Sequence, residues 1–459
     1  MNITKKTMLA LSITSLSALA MAEEESQAFS PTTLKTTSAQ AEAGGFVEDQ
    51  SLTGSTRNWY AREQSKRGPL FKYTKGDGTR VPTNNRTNWL QSTTLNYTSG
   101  FTQGTVGFGV EAALNNVVAL ERGRARIDGP NNRTLTDSSG DAVGQWSKLG
   151  IANFKARVAN TTLTVGRQSM DTPMIATIGN RALPSSFEGF AIDSKEFNNL
   201  SFQAGSFDRV SPRTEQSLSK FRSEYSATGV ETDRVTTAGI NYQPFTNVTT
   251  TLFATQVEDF WNQYYFGANH VMGDSAVVSL TTGLNYYKTR DTGSRKMGQI
   301  DNDAASLSLT ATHQAHSLTL AYQQINGNEY FDYLHETNGI FLANSLLSDF
   351  NGPNEKSFQV AYGLNMAEYG VPGLKFNVYT ARGWGIDGTH YKGTAYDVRN
   401  MDGEHHYEYG VGSTYVIQSG TLKDTSVRAT YTAHRASANQ ADGSLDELRI
   451  VTTIPFNIL

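Results

Sequence analysis

From Gly104 to Leu114 the chain alternates at every second position. Val106, Phe108, Val110, Ala112 and Leu114 share one face, and Thr105, Gly107, Gly109 and Glu111 share the other. Successive side chains of a strand point to opposite sides, so one side of this strand suits lipid and the other suits water. The pattern returns in Phe154/Ala156/Val158 against Lys155/Arg157 and in Leu163/Val165 against Thr162/Thr164. It returns again in Leu307/Leu309, in Leu318/Leu320/Tyr322 and in Phe358/Val360/Tyr362/Leu364. No apolar run is long enough for a membrane helix. A chain so patterned crosses a membrane only as a closed β-barrel, because lipid cannot satisfy the backbone groups of an open sheet edge. A soluble β-sandwich also alternates, but its polar face carries more charge and its strands are shorter.

Two kinds of connection separate the predicted strands. Short turns fall near Tyr97-Thr98-Ser99-Gly100, Ala159-Asn160, Gln243-Pro244 and Gln314-Ala315, as expected at a periplasmic rim. Longer polar stretches run over 63–86, 115–147, 169–188, 209–234, 260–275, 291–302, 326–355, 385–404 and 435–445. Nine long connections are what an 18-stranded antiparallel transmembrane β-barrel needs, with 16 strands as the competing count. Aromatics flank several strands, among them Trp59, Tyr60, Trp89, Trp261, Tyr264, Tyr286 and Tyr409. Rings with an apolar body and a polar tip suit the headgroup levels of a barrel.

The N-terminus reads as export machinery. Lys5 and Lys6 precede an apolar stretch from Met8 to Ala20, and Ala20-Met21-Ala22 is a small-x-small cleavage site, so residues 1–22 are expected to be a signal peptide. Residues 23–45 read as a Ser/Thr/Ala-rich tail and residues 46–459 as the barrel. Setting aside Lys5 and Lys6 leaves 37 of the 39 basic residues against 43 acidic ones, a mildly acidic balance that suggests no nucleic-acid partner. The absence of cysteine excludes a disulfide scaffold and suits passage through an oxidising compartment. None of the eight histidines sits in a nucleophile or metal-ligand spacing, and adjacent His405 and His406 would face opposite sides of a strand. No catalytic motif, cofactor or metal is expected. A receptor with a plug domain would need far more than 23 residues ahead of the barrel.

Several islands along the chain carry a family signature. Gly45-Phe46-Val47-Glu48-Asp49 is followed by Arg57-Asn58-Trp59-Tyr60, then by Gly100-Phe101-Thr102-Gln103-Gly104-Thr105-Val106-Gly107 and by Arg181-Ala182-Leu183-Pro184-Ser185-Ser186-Phe187-Glu188-Gly189. Glu258-Asp259, Val371-Pro372-Gly373-Leu374 and Gln418-Ser419-Gly420-Thr421-Leu422-Lys423 continue the series. In these the chain resembles the OprD-type substrate-specific outer-membrane porins. The resemblance implies a monomeric 18-stranded barrel that crosses the outer membrane of a Gram-negative bacterium many times. It implies loops folded inward to narrow a pore for passive uptake of small nutrients, carboxylates or amino acids. The partners it implies are outer-membrane lipid and lipopolysaccharide, the barrel-assembly machinery, and small anionic or zwitterionic solutes. A nonselective general diffusion porin is the alternative. Ala182 and Ser185 depart from the family's pattern and leave the shape of the constriction open.

Selective passage of anions asks for fixed positive charge at short spacing, so that a solute is handed on and not trapped. Lys155 and Arg157 oppose Phe154, Ala156 and Val158 and so should face the pore. Arg428 shares parity with Thr430, Thr432 and His434, and Arg449 opposes Leu448 and Ile450. The resemblance adds Arg57 on the wall and Arg181 in an inward third extracellular loop. Arg382 completes the candidates although Phe376 and Val378 share its parity. These residues form a basic ladder whose guanidinium forks match carboxylate oxygens. Each has a plainer alternative as the partner of a nearby acid, such as Glu111. Asp171 and Glu188 are expected to temper Arg181, and Phe341 and Leu342 in the 326–355 loop would meet a ring-bearing solute or pack the loop on itself.

Overall fold

Alternation becomes a closed sheet in the computed structural model, which describes residues 30–74, 79–121, 135–139 and 142–459. The expected signal segment, the first part of the tail and much of the 115–147 connection lie outside the described residues. In chain order the strands are β1 (Ser51–Ser65), β2 (Phe71–Thr74), β3 (Arg80–Thr83), β4 (Asn85–Thr98), β5 (Val106–Ala119), β6 (Gln145–Val158), β7 (Thr161–Gln168) and β8 (Ser186–Ser194). There follow β9 (Leu200–Ser211), β10 (Phe221–Arg222), β11 (Glu231–Thr232), β12 (Val235–Phe245), β13 (Val248–Val257), β14 (Trp261–Asp274), β15 (Val278–Asp291) and β16 (Asp301–His313). The last are β17 (His316–Asn326), β18 (Lys356–Asn365), β19 (Leu374–Asp387), β20 (Asp402–Val416), β21 (Ser426–Ala436) and β22 (Leu445–Asn457).

Eighteen of these form one antiparallel sheet, with β2/β3 and β10/β11 as small ribbons in two of the loops. Neighbours in the sheet are neighbours in sequence, and β22 returns to pair with β1 from Thr53↔Asn457 to Ser65↔Leu445. Closure removes the sheet edge, which is the condition for crossing lipid. No described helix is long and apolar enough to span a membrane.

The outward face is the predicted apolar one. Val106, Phe108, Leu114, Phe154, Val158, Leu163, Val165, Leu307, Leu318 and Phe358 are all exposed on the outside, where lipid covers them. Phe108 and Phe154 stack across β5 and β6 with ring centroids 5.6 Å apart. The aromatics divide by parity: Trp89, Tyr264, Tyr286 and Tyr409 face outward, whereas Trp59, Phe260, Trp261 and Tyr265 are buried.

Eight of the nine long connections occur where expected, but 260–275 is a strand. The connection there is three residues long, Glu258 to Phe260, and β14 follows at once. Its sequence, Trp261-Asn262-Gln263-Tyr264-Tyr265-Phe266, puts aromatics on both faces and so hides the alternation. Gln243 and Pro244 likewise belong to β12, where the register shifts between Tyr242 and Phe245, and the turn comes two residues later.

Described residues of the tail bind the rim of short turns. Ser30 donates to the Pro244 carbonyl, Lys35 to Glu196 and Gln40 to Ala159. Gly100 closes the series by donating to Phe46, in a contact so close that a Cβ on Gly100 would lie 1.9 Å from the Gly45 oxygen. The tail is therefore held by backbone bonds that its composition does not reveal.

Candidate constriction and pore wall

The interior is filled from the end with the long connections. Apolar side chains of loops and inner wall form three buried clusters, such as Met174, Ile340 and Leu342 against Phe253, Tyr265 and Tyr287. Residues 169–185 reach two sides of the lumen. The Pro173 carbonyl accepts from Tyr287 on β15 at 2.9 Å, while Asn180 and Ala182 accept from Trp59 on β1 and Ser92 on β4 at 3.1 and 2.7 Å. This is the inward loop that the family resemblance leads one to expect.

Residues 327–355 form the second inward loop. The Leu347 and Ser348 amides each donate at 3.0 Å to the Glu408 carboxylate of β20, and Asn344 donates to Gln323 and Ser357. Asn338 donates to the Ala176 carbonyl, which joins the two loops. Leu342 is buried and Phe341 packs edge-on to Tyr265 at 6.1 Å. Both side chains therefore pack on the barrel wall and the first inward loop as well as on their own loop, and Phe341 stays half-buried.

Two further loops, absent from the sequence reading as inward elements, complete the constriction. Residues 212–234 are pinned by Lys148 of β6, whose ammonium donates to the Pro212 and Glu215 carbonyls. Residues 388–401 join through Ala227, which donates to the Ala395 carbonyl at 2.8 Å. Three acids of the second loop tie the ends together. Glu336 takes Arg213 through Nε at 2.7 Å, Nη2 at 3.1 Å and the backbone N–H at 2.9 Å. Asp332 accepts from Ser223, from Tyr396 at 2.9 Å and from the Tyr333 amide at 2.7 Å. Asp349 accepts from Tyr225 and Tyr333, both at 2.7 Å.

Their protonation follows from burial and partners. Burial would raise the Glu336 carboxyl, but the Arg213 guanidinium, with His335 and Arg181, holds it well below the usual carboxylate range. Asp332 lacks a cationic partner of that kind, and burial pushes it up to about 7 against the hydrogen bonds it accepts. Burial likewise raises Asp349. Glu336 is thus a charged latch, whereas Asp332 titrates near neutrality.

The proposed ladder residues distribute unevenly. Lys155, Arg157, Arg428, Arg449 and Arg57 all have lumen-facing parity. Lys155 pairs with Glu111 at 2.7 Å, which is the plainer of its two expected roles. Arg157 lies over the Phe101 ring at 3.8 Å and donates through Nε to Gln40 of the tail at 3.0 Å. Arg449 donates to Glu447 at 2.6 Å. Arg57 points at the first inward loop, its Nη1 donating to the Gly179 and Arg181 carbonyls at 2.8 Å each. It is an anchor for the constriction as well as a wall charge.

Two expectations need correction. Arg382 lies on the outward face with Phe376 and Val378, across from Tyr407, whose ring centroid is 5.8 Å away, so it is no part of the pore. The strand period leaves no other outcome once Phe376 and Val378 face lipid. Glu188 also faces outward and pairs with Arg167 at 3.0 Å, so it does not temper Arg181. Arg181 itself lies 3.8 Å from Glu336, which makes it a tie between the two inward loops. Arg213, Glu336 and Asp332 were missed because their partners are 64 to 123 residues away in sequence. Gln40 was missed because nothing in the tail's composition marks it.

Comparison with known proteins agrees with this architecture. A family model described as outer membrane porin, OprD family, matches residues 44–458. Porin D of Pseudomonas aeruginosa is 37% identical over 442 residues, covering 92% of this chain and 94% of that protein. The crystal structure of Pseudomonas aeruginosa OccD3 (OpdP) superposes with a TM-score of 0.81 at 46% identity, covering 94% of this chain and 95% of the other. That of Pseudomonas aeruginosa OpdK with vanillate gives 0.77 at 26% identity, covering 90% of this chain and all of the other. A closed barrel narrowed by its own loops, together with these matches, makes the chain a non-enzymatic, substrate-selective channel of the outer membrane, and it belongs to the OprD family of porins.

Proposed function

We propose that this channel, working as a single barrel, passes small carboxylate-bearing solutes, amino acids among them, by passive diffusion along a basic arc of the lumen. The observation that carries the reading is the location of the lumen-facing cations. Arg428, Arg449, Arg57, Lys155 and Arg157 fall on β21, β22, β1 and β6, within six neighbouring strands of the sheet. Three acids of the second inward loop, Glu336, Asp332 and Glu355, are buried in contacts with the protein's own groups and do not offset them, whereas Asp171 of the first loop is exposed and tempers the preference. A relative crystallised with vanillate, a carboxylate, supports the same solute class.

Solute enters between the interlocked loops, sheds part of its hydration and meets the exposed Arg428 guanidinium on the wall below. Near neighbours of like charge keep any single site shallow: Arg428 lies within the fields of Arg57 and Arg449. A carboxylate is then exchanged between partners and not held by one. Arg157 lies one residue from the short-turn end of β6, at the periplasmic mouth of the arc. The attraction is long-range in the lumen and weakens as salt shortens the Debye length.

The test is the reversal potential of single channels in a salt gradient. Wild type is expected to prefer anions, and the Arg157→Ala/Arg428→Ala double variant to lose most of that preference. An unchanged reversal potential in the variant would remove the basic arc from the mechanism.

A further inference from the structure

One buried cluster at the loop end of β20 and β21 has no role in the conduction path. His406 and His434 lie diagonally across this strand pair, since His406 faces Ala436 and His434 faces Glu408 in the register. Both are turned inward and have 0% and 1% of their surface exposed. His406 Nε2 is 2.5 Å from Glu355 Oε1, and His434 Nδ1 is 2.7 Å from the Gly443 carbonyl oxygen. Glu355 is itself accepting, through its other oxygen, from the Gly352 amide at 2.8 Å. Gly383 leaves room for this carboxylate, for a Cβ there would lie 2.0 Å from Glu355 Oε1.

An acceptor facing each outer ring nitrogen calls for a proton on that nitrogen. The remaining lone pair of each neutral ring then sits on the inner nitrogen, and the two inner nitrogens, His406 Nδ1 and His434 Nε2, face each other 2.7 Å apart. Lone pairs so placed repel, and the gap calls for positive charge. A third donor lies close by, for a carboxylate oxygen of Asp442 is within 4.8 Å of a ring nitrogen of each histidine.

We propose that His406 Nδ1, His434 Nε2 and the Asp442 carboxylate ligate a divalent transition cation of the zinc type. Two imidazole nitrogens and one carboxylate oxygen are a donor set for such an ion, with a fourth position for water. The Glu355 carboxylate and the Gly443 carbonyl behind the rings are the outer partners that fix ring tautomer and orientation in metal sites. Two metal–nitrogen bonds of about 2.0 Å at a tetrahedral angle hold the nitrogens roughly 3.3 Å apart, so the rings open slightly as the ion enters. Asp442 is the partly exposed member and marks the entry side.

The site ties the constriction to the wall. The ion joins two strands and the 437–444 loop, and its ligands are backed by the 327–355 loop, where Phe350 stacks on His406 at 4.2 Å and Ser348 donates to Asp442 at 2.6 Å. Bound metal should therefore quiet the motion of the second inward loop. Cross-strand diagonals of this kind have no spacing signature, which is why the histidines look unrelated in the sequence.

The test uses the full chain purified in detergent, stripped with a chelator and titrated with Zn²⁺ by calorimetry and with Co²⁺ by visible absorption. One equivalent should bind, with ligand-field bands for Co²⁺ bound to histidine nitrogen. His434→Gln and Asp442→Asn should each weaken binding at least tenfold, and heat-modifiable migration in gels should show that both barrels remain folded. The loop substitution Asp442→Asn keeps the proposal testable if His434→Gln fails to fold. Absence of stoichiometric uptake by wild type, or equal uptake by the folded Asp442→Asn protein, overturns the proposal and leaves a shared proton as the occupant of the gap.

Discussion

Replacing Glu336 with glutamine should open the constriction while leaving the barrel intact. The Arg213–Glu336 pair is almost wholly buried, with side-chain exposures of 5% and 2%, and Arg181 lies near the same carboxylate. Glutamine keeps the shape but leaves the Arg213 charge buried without its counter-ion, and breaking one partner of a buried pair costs about 3–5 kcal/mol. The strand ladders do not involve this pair, so the cost falls on loop docking. At tenfold per 1.4 kcal/mol, the docked arrangement weakens by roughly two to three and a half orders of magnitude. Single-channel recordings in planar bilayers should then show frequent transitions to larger conductance, where wild type is quiet and narrow. Adding Arg213→Met removes the stranded charge and should restore part of the quiet state, a coupling readable from the double-mutant cycle. A Glu336→Gln channel with wild-type conductance and noise would refute the claim that this pair holds the loops inward.

Asp332, pushed up to about 7 by burial, binds a proton more tightly folded than unfolded. Its contribution to loop packing is therefore complete below about pH 4 and is lost as pH rises through 7. Gating noise should be lower at pH 5 than at pH 8, and Asp332→Asn should remove the difference. The Glu336 carboxyl moves the other way, so its latch should persist from neutral pH down through pH 5 in the same recordings. Gln40→Ala takes away the side chain bonded to Arg157 Nε, and reversal potentials should shift further toward anions. Phe108→Lys places a charge in the lipid band and should cost about 2–4 kcal/mol in equilibrium folding into vesicles if the residue lies near the bilayer midplane.

Much of the barrel could be read because lipid and water impose opposite demands on alternate residues. Val106, Phe108 and Val110 announced their face, and the same parity sent Lys155, Arg157, Arg428 and Arg449 inward. Parity applied without exception would also have excluded Arg382, since Phe376 and Val378 fix the outward face of β19. The signal failed at β14, where Trp261 and Tyr265 fill the lumen while Tyr264 faces outward. Large rings inside and outside leave no contrast between the faces. The constriction was legible only in outline. Resemblance pointed to the 169–188 and 326–355 loops, but the bonds that hold them, such as Arg213 to Glu336 and Tyr396 to Asp332, join residues far apart in the chain. No local pattern records them. Arg57 shows the mixed case: its wall position was expected, whereas its bonds to Gly179 and Arg181 appear only when the loop is in place.

The most direct measurement is the swelling rate of proteoliposomes in a small carboxylate and in its uncharged amide of equal size, for wild type and for the Lys155→Gln/Arg157→Gln/Arg428→Gln variant. The basic arc predicts that wild type admits the carboxylate faster at low salt and that the variant admits the two at similar rates. Equal rates in wild type, or a carboxylate advantage that survives in the variant, would contradict it.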